Sequence, residues 1–260
     1  PSAWLAPAVL LAGAAALLVA EARRPLRPVR RPRLRRDLRN LAFAGLSGAV
    51  VTFLQGPVVQ PLARRAQARG WGLSRWLRAP GWAQAALALL LMDYSLYGWH
   101  VLTHRVPFLW RFHRPHHADI EMDASTALRF HFGEMALSIP YRAAQVALIG
   151  VGPRTLGLWQ NLTLASILFH HSNLRIPRRL ERRLAWLVVT PRLHEIHHSI
   201  VPAERNANWS SGLTIWDRLH GSLRVEPIRV PVTIGDAEPR APAQLGWRQM
   251  LALPVREPAA

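Results

Sequence analysis

Eleven of the chain's twelve histidines lie between residues 100 and 198, ten of them in clusters, two of which end apolar runs. The clusters read His100-x-x-x-His104, His113-x-x-His116-His117, His170-His171 and His194-x-x-His197-His198. Histidines at i, i+3 and i+4 share one side of a helix or tight turn. Imidazoles at this density call for something to bind, and the usual something is a metal. A fold for this chain therefore has to bring distant segments together around those rings.

The apolar runs say how. The formal net charge is +18, and every basic residue is arginine. That balance suits nucleic acid or an anionic membrane surface; the runs decide for membrane, with no nucleic-acid partner expected. They are Ala3 to Ala20, Leu41 to Ala63 (interrupted by Pro57 and Pro61), Trp82 to Leu102, and a closer pair, Glu134 to Gly152 and Leu156 to Phe169. Crossing the hydrocarbon core takes roughly 20 apolar residues. The first three runs are long enough, and the last two read as a hairpin of tilted or partly inserted helices. The first run does not read as a signal peptide, because basic residues follow it rather than precede it.

Nine arginines lie between Arg23 and Arg39. An excess of arginine marks the cytoplasmic side, so the amino end is expected outside and this segment inside, against anionic lipid. The second run then leaves and the third returns, delivering His100 to the cytoplasmic face; the hairpin delivers His170 and His171 to the same face. One topology gathers all the clusters. Arg64, Arg65, Arg69, Arg75 and Arg78 fall on the far side and read as an amphipathic interfacial stretch. Cysteine is absent, which excludes disulfides, thiolate ligands and iron–sulfur clusters.

The clusters differ in weight. His100 and His104 share a helical face at the membrane edge, where a pair of interfacial anchors would look the same. His113, His116 and His117 occupy a turn-prone segment around Pro115, and His194, His197 and His198 repeat their spacing some eighty residues on. One of His170 and His171 is expected to complete the site. His131 reads as structural or as a lesser ligand candidate, and His220 as structural. The set is too large for one ion and suits two. Imidazole donors without thiolate accept iron, zinc, copper or nickel, and two irons can activate O₂ for attack on an unactivated C–H bond. Asp93, Asp123, Glu134 and Glu195 are available to hold imidazole tautomers.

Two rival readings stand beside this one. His194-Glu195-Ile196-His197-His198 satisfies HExxH, the zinc-protease motif in which glutamate activates water; an intramembrane zinc metalloprotease would use only this segment. A histidine-lined metal transporter is the other, although transporters keep their ionisable groups near mid-membrane and these clusters sit at helix ends.

The order HxxxH, HxxHH, HxxHH resembles the fatty acid hydroxylase/sterol desaturase superfamily of membrane di-iron enzymes, over roughly residues 35–224. The flanks agree: Asp93 to His104, Pro107 to His113, Asp123 to Glu134, His171-Ser172-Asn173-Leu174, Pro191 to His194, and Trp216-Asp217-Arg218-Leu219. The sequence departs from the family pattern at Phe132, Ser210 and His220. The resemblance implies metal ligation by His100, His104, His113, His116, His117, His171, His194, His197 and His198, with His170 and His131 as lesser candidates. It implies two iron ions, with a metal such as zinc possible in a purified sample, a lipid substrate, O₂, and a separate electron donor of ferredoxin or cytochrome type.

The expectation is therefore an all-α, polytopic membrane bundle of about four to five inserted helices under a cytosolic helical cap carrying a dimetal site. Residues 1–34 would form a membrane helix and arginine-rich linker, 35–224 the membrane and catalytic domain, and 225–260 an irregular tail. The activity would be hydroxylation, ahead of desaturation, of a fatty acyl chain, sterol or ether lipid, at the cytoplasmic face of a bacterial inner membrane. Oligomeric state is left open.

Overall fold

The computed structural model describes residues 5–29, 33–76, 78–238, 240–241 and 245–256, and among them every regular element is helical. Helix α1 (Leu5–Arg23) is 19 residues long, about 28 Å at 1.5 Å per residue. Helix α2 (Arg33–Val50) runs through a π-helical turn, Val51–Gln55, into α3 (Gly56–Arg69). The widened turn precedes Pro57: proline has no N–H for the carbonyl four residues back, and here the Gly56 N–H reaches Val51 instead. The helix thus passes both prolines. After α4 (Leu73–Trp76) comes α5 (Gly81–Arg105). Among the described residues, the stretches Arg33–Trp76 and Gly81–Arg105 are long and apolar enough to cross a membrane.

Helices α6 (Pro107–His117), α7 (Phe132–Ile149) and α8 (Pro153–His171) follow, with a 3₁₀ turn at Ala124–Leu128. Helices α7 and α8 are joined by a tight hairpin turn, as expected, but they pack on α3 and α5 rather than chiefly on each other. Short helices complete the chain: α9 (Arg178–Leu184), α10 (Pro191–His197), α11 (Pro202–Arg205), α12 (Ile215–Leu219) and α13 (Trp247–Ala252).

Helices α3, α5, α7 and α8 share a core built from Val59, Ala63, Ala88, Met92, Val146, Leu156 and Trp159. Alanines at these contacts allow the close backbone approach on which helix packing in an apolar solvent relies. The outward faces are apolar too: Phe53 is 74% exposed and Leu148 68%. Water does not favour such surfaces on an isolated chain. Along α3, Val59, Ala63 and Ala66 are buried while Arg64, Arg65 and Arg69 are exposed. The amphipathic stretch expected there exists, but it continues α2 and packs on α7 rather than standing apart.

The tail differs from its expected irregularity. Leu245, Met250 and Leu253 are buried with Phe43 of α2 and Ala118 in a second core, and Trp247–Ala252 is helical. Its apolar side chains find a hydrophobic site on α2 that no local pattern announces.

The hairpin turn is pinned by two glycines in left-handed conformations, Gly150 (φ 80°) and Gly72 (φ 100°). A Cβ on Gly72 would lie 2.3 Å from the Cα of Gly150, so the linker between α3 and α5 rests directly on the α7–α8 turn. Gly72→Ala is expected to cost about 1–3 kcal/mol by overpacking, or about 2–4 °C of melting temperature per kcal/mol for a chain of this size. Gly13→Ala, with open space around Gly13, should leave the melting curve of the detergent-solubilised protein in place.

Candidate metal centre

Four elements deliver the histidines. The end of α5 carries His100 and His104, α6 carries His113, His116 and His117, the end of α8 carries His170 and His171, and α10 with its C-cap carries His194, His197 and His198. The segment read as turn-prone is helical: Pro107 opens α6 at its first turn, and Pro115, near its end, is tolerated with its carbonyl accepting from Arg129 Nε at 2.7 Å.

The rings converge into two groups. His100, His104, His113, His117 and His197 bring ligand nitrogens within 4.8 Å of one another, and so do His116, His171, His194 and His198. The repeated H-x-x-H-H pattern divides between them in opposite senses. From α6, His113 and His117 enter the first group and His116 the second; from α10, His194 and His198 enter the second and His197 the first. Residues i, i+3 and i+4 share one broad helical face, with i+3 and i+4 on its opposite flanks, about 100° apart. Each helix therefore serves both groups.

Outer contacts fix several ring orientations. The Nδ1–H of His100 donates to the Trp209 carbonyl at 2.7 Å, that of His197 to Ala207 at 2.8 Å, and that of His171 to Ile167 at 2.7 Å. His113 Nδ1–H donates to both oxygens of buried Glu134 at 3.1 Å. Each bond leaves the Nε2 lone pair free. In the second group the Nε2 atoms face one another: His171 lies 3.1 Å from His116 and 3.0 Å from His194, and His194 lies 3.1 Å from His198.

The donor chemistry fits a metal. His113 Nε2, His197 Nε2, both nitrogens of His104 and both of His117 are buried with no hydrogen-bond partner. Such atoms are rare in native interiors. Nitrogens about 2.1 Å from one ion and at right angles about it would sit about 3.0 Å apart, the spacing seen in the second group. Burial, then neighbouring imidazoles, push His116, His117, His194 and His198 well below the usual histidine range; burial and His100 do the same to His197. These rings are neutral at neutral pH, the form a metal requires.

The other histidines sit elsewhere. His170 is buried with its ring centroid 4.0 Å from that of His194, but it belongs to neither group. His131 caps α7: its Nδ1 accepts from the Gly133 N–H at 3.0 Å and its Nε2–H donates to Leu251 at 3.2 Å, so both nitrogens are engaged. His220 stacks on Tyr97 at 5.0 Å and meets the Tyr94 hydroxyl at 3.2 Å.

Of the four carboxylates singled out from the sequence, Glu134 alone hydrogen-bonds a histidine. Asp93 accepts from the Leu213 N–H and from Trp216 Nε1. Asp123 caps the 3₁₀ turn and pairs with Arg36. Glu195 lies 3.5 Å from Arg27; burial raises its pKa and the arginine opposes the rise. The carboxylate of the HExxH string is thus engaged away from both groups, which counts against the protease reading. Sequence reasoning missed the orienting carbonyls of Ile167, Ala207 and Trp209, because main-chain acceptors leave no mark on residue type. One signal existed for the last. Asn208 takes a left-handed conformation (φ 54°), which asparagine tolerates, and Asp217 accepts the N–H groups of Trp209 and Ser210.

Comparison with known proteins falls on this region. The chain is 35% identical over 153 residues to ornithine lipid hydroxylase OlsE of Rhizobium tropici, covering 58% of this chain and 45% of that protein. It is 26% identical over 171 residues to cholesterol 25-hydroxylase of Mus musculus, covering 60% and 56%. It is 28% identical over 144 residues to alkylglycerol monooxygenase of Xenopus tropicalis, covering 55% and 31%. The matches span about half or less of these relatives' own length. No solved structure matches the chain. Residues 85–222, just over half the chain and including both histidine groups, match the fatty acid hydroxylase family, and the chain belongs to that family.

Proposed function

We propose that this chain is an integral membrane lipid hydroxylase that holds one iron in each histidine group. The observation that carries the reading is the pair of inward-facing nitrogen sets, buried and without protein partners. Two rings on the α5 face, three on α6, His171 on α8 and three on α10 would be the ligands. His170 and His131 stay outside: the one lies against His194, the other caps α7. The matched relatives are by name hydroxylases and a monooxygenase of lipids, which favours hydroxylation over desaturation.

Iron bound in this donor set supplies activation of O₂ for attack on an unactivated C–H bond, which side chains alone cannot achieve. The residues supply the rest. Glu134 and the carbonyls of Trp209, Ala207 and Ile167 hold four rings with Nε2 turned inward. Trp110 and Phe130 pack on the outer rings, at 5.0 Å from His104 and 4.5 Å from His116, and exclude water. Among the nine, His104 is the least enclosed, so the substrate chain is taken to approach from its side, where α5 meets the apolar phase. The catalytic unit is residues 35–224. Reducing equivalents come from a separate ferredoxin- or cytochrome-type protein, and the arginines after α1 assign the site to the cytoplasmic face of a bacterial inner membrane.

Iron-supplied protein purified from membranes should carry about two irons per chain, the capacity of two such sites, and ¹⁸O₂ should label a hydroxyl on an extracted lipid. His117→Ala should lose iron and labelling together, while His170→Ala keeps its iron; iron content unaffected by His117→Ala would overturn the reading. Glu134→Gln should weaken metal retention by about 10–100-fold, the usual cost of losing a partner behind a ligand, measured by competition with a chelator.

Acid should also unfold the metal-free chain. His116, His117, His194, His197 and His198 have folded-state pKa values below the unfolded value. The unfolded state therefore binds more protons, and stability falls as pH drops below about 6.5. Each imidazole contributes up to about 1.4 kcal/mol per pH unit. After chelation the melting temperature should fall steeply between pH 7.5 and 5.5; a flat profile would mean that the rings are not buried neutral.

A further inference from the structure

Away from the histidines, the end of α1 and the segment before α9 form an open cleft of ≈ 470 Å³ whose lining includes Arg23, Arg24, Arg175, Arg178 and Arg192. Its size falls within the roughly 300–1,000 Å³ range of ligand pockets. We propose that this cleft binds the phosphate headgroup of an anionic membrane lipid. The proposal does not depend on what the histidines hold.

The walls are built rather than incidental. Pro25 and Leu174 form an antiparallel bridge, the Arg175 N–H donates to the Arg24 carbonyl at 2.7 Å, and the Leu26 N–H donates to Asn173 at 2.7 Å. The Arg175 guanidinium Nε–H donates back to the Pro25 carbonyl at 3.0 Å. Two segments some 150 residues apart are thereby locked with their arginines side by side.

Most of their charge is uncompensated. Arg192 is paired with Glu181 at 2.6 Å. Arg23, Arg24 and Arg178 are exposed and have no acidic partner among the described residues. Guanidinium groups brought together without carboxylates repel one another, and a phosphate, which they can grip with paired N–H donors, relieves the repulsion. The surroundings point to a lipid rather than a free ion. Arg23 and Arg24 lie where the apolar helix α1 ends. On α9, which starts at the cleft's Arg178, and just after it, Leu180 is 50% exposed and Trp186 and Leu187 are each 68% exposed. Tryptophan and leucine flanking arginine, next to the end of an apolar helix, are the pattern of a surface seated in a bilayer interface.

The test uses the full chain in detergent, with dioctanoyl phosphatidylglycerol as probe and dioctanoyl phosphatidylcholine and inorganic phosphate as the other arms. Phosphatidylglycerol should bind in a salt-sensitive manner and more tightly than either. The double variant Arg24→Ala/Arg178→Ala removes two exposed side chains that make no hydrogen bond or ion pair among the described residues, so its melting temperature without probe should match the parent's. It should bind phosphatidylglycerol about thirtyfold more weakly, as expected from the loss of two cationic contacts, and Arg24→Lys/Arg178→Lys should recover part of the loss. Equal binding of phosphatidylcholine, or undiminished binding by the alanine variant, would overturn the proposal. Inorganic phosphate binding as tightly as phosphatidylglycerol would overturn its lipid component and leave a free-phosphate site.

Discussion

A buried imidazole nitrogen without a partner costs about 1–3 kcal/mol, and His104, His113, His117 and His197 bring several such nitrogens into one space. Nothing local favours that arrangement. The remainder of the chain has to hold it, and it does so with a separate buried clamp behind each histidine-bearing helix. Behind α6, Arg129, fully buried, donates to the Pro115 carbonyl and to Asn40. At the end of α8, Glu21 accepts the N–H groups of Asn173 at 2.8 Å and Ala124 at 3.2 Å. At the start of α10, Glu181 accepts both the N–H and the Nε–H of Arg192. Behind α5, the Trp209 carbonyl meets His100, itself fixed by Asp217.

These clamps also tie the apolar helices to the cap. Glu21 belongs to α1 and Asp93 to α5, yet their carboxylates hold main-chain N–H groups of cap segments. Asn40 of α2 bridges Arg129, Ser125 and Asp119. Burial would raise the Asp119 carboxyl, but Arg129, Arg36 and Arg39 outweigh it and hold the group below its ordinary value; burial brings Arg129 down to about 10. Buried charges of this kind add little net stability, but removing one partner is expensive. Their effect is to fix the relative position of apolar helix and cap, which two groups of converging rings require.

How much of this was legible follows from where each signal lives. The histidine clusters and the apolar runs are patterns of residue type at short range: the rings do converge, and the second and third runs fall in helices long and apolar enough to cross a membrane. The helical state of Arg111–His117 was hidden by Pro115, because a proline near a helix end, with no N–H to donate back, resembles a turn in sequence. The helix at Trp247–Ala252 was hidden because its partner, Phe43, lies two hundred residues away. The orienting role of Glu134 was one of four equal candidates in sequence; only the fold separates it from Asp93, Asp123 and Glu195, whose carboxylates serve main-chain groups or arginines instead.

The repeated H-x-x-H-H pattern shows why spacing alone underdetermines a site. Read as HExxH, the second copy offers His194 and His198 to one metal with Glu195 as the base. In the fold those two rings do share a group, but with His116 and His171, and Glu195 turns toward Arg27. The decisive residue is His197, the one that the HExxH reading ignores: at i+3 from His194 it crosses to the other group and meets His100, His104, His113 and His117. A single metal needs only i and i+4. A third histidine between them has a use only when the helix stands between two centres, and α6, which carries the same triplet in the opposite sense, is the second such helix.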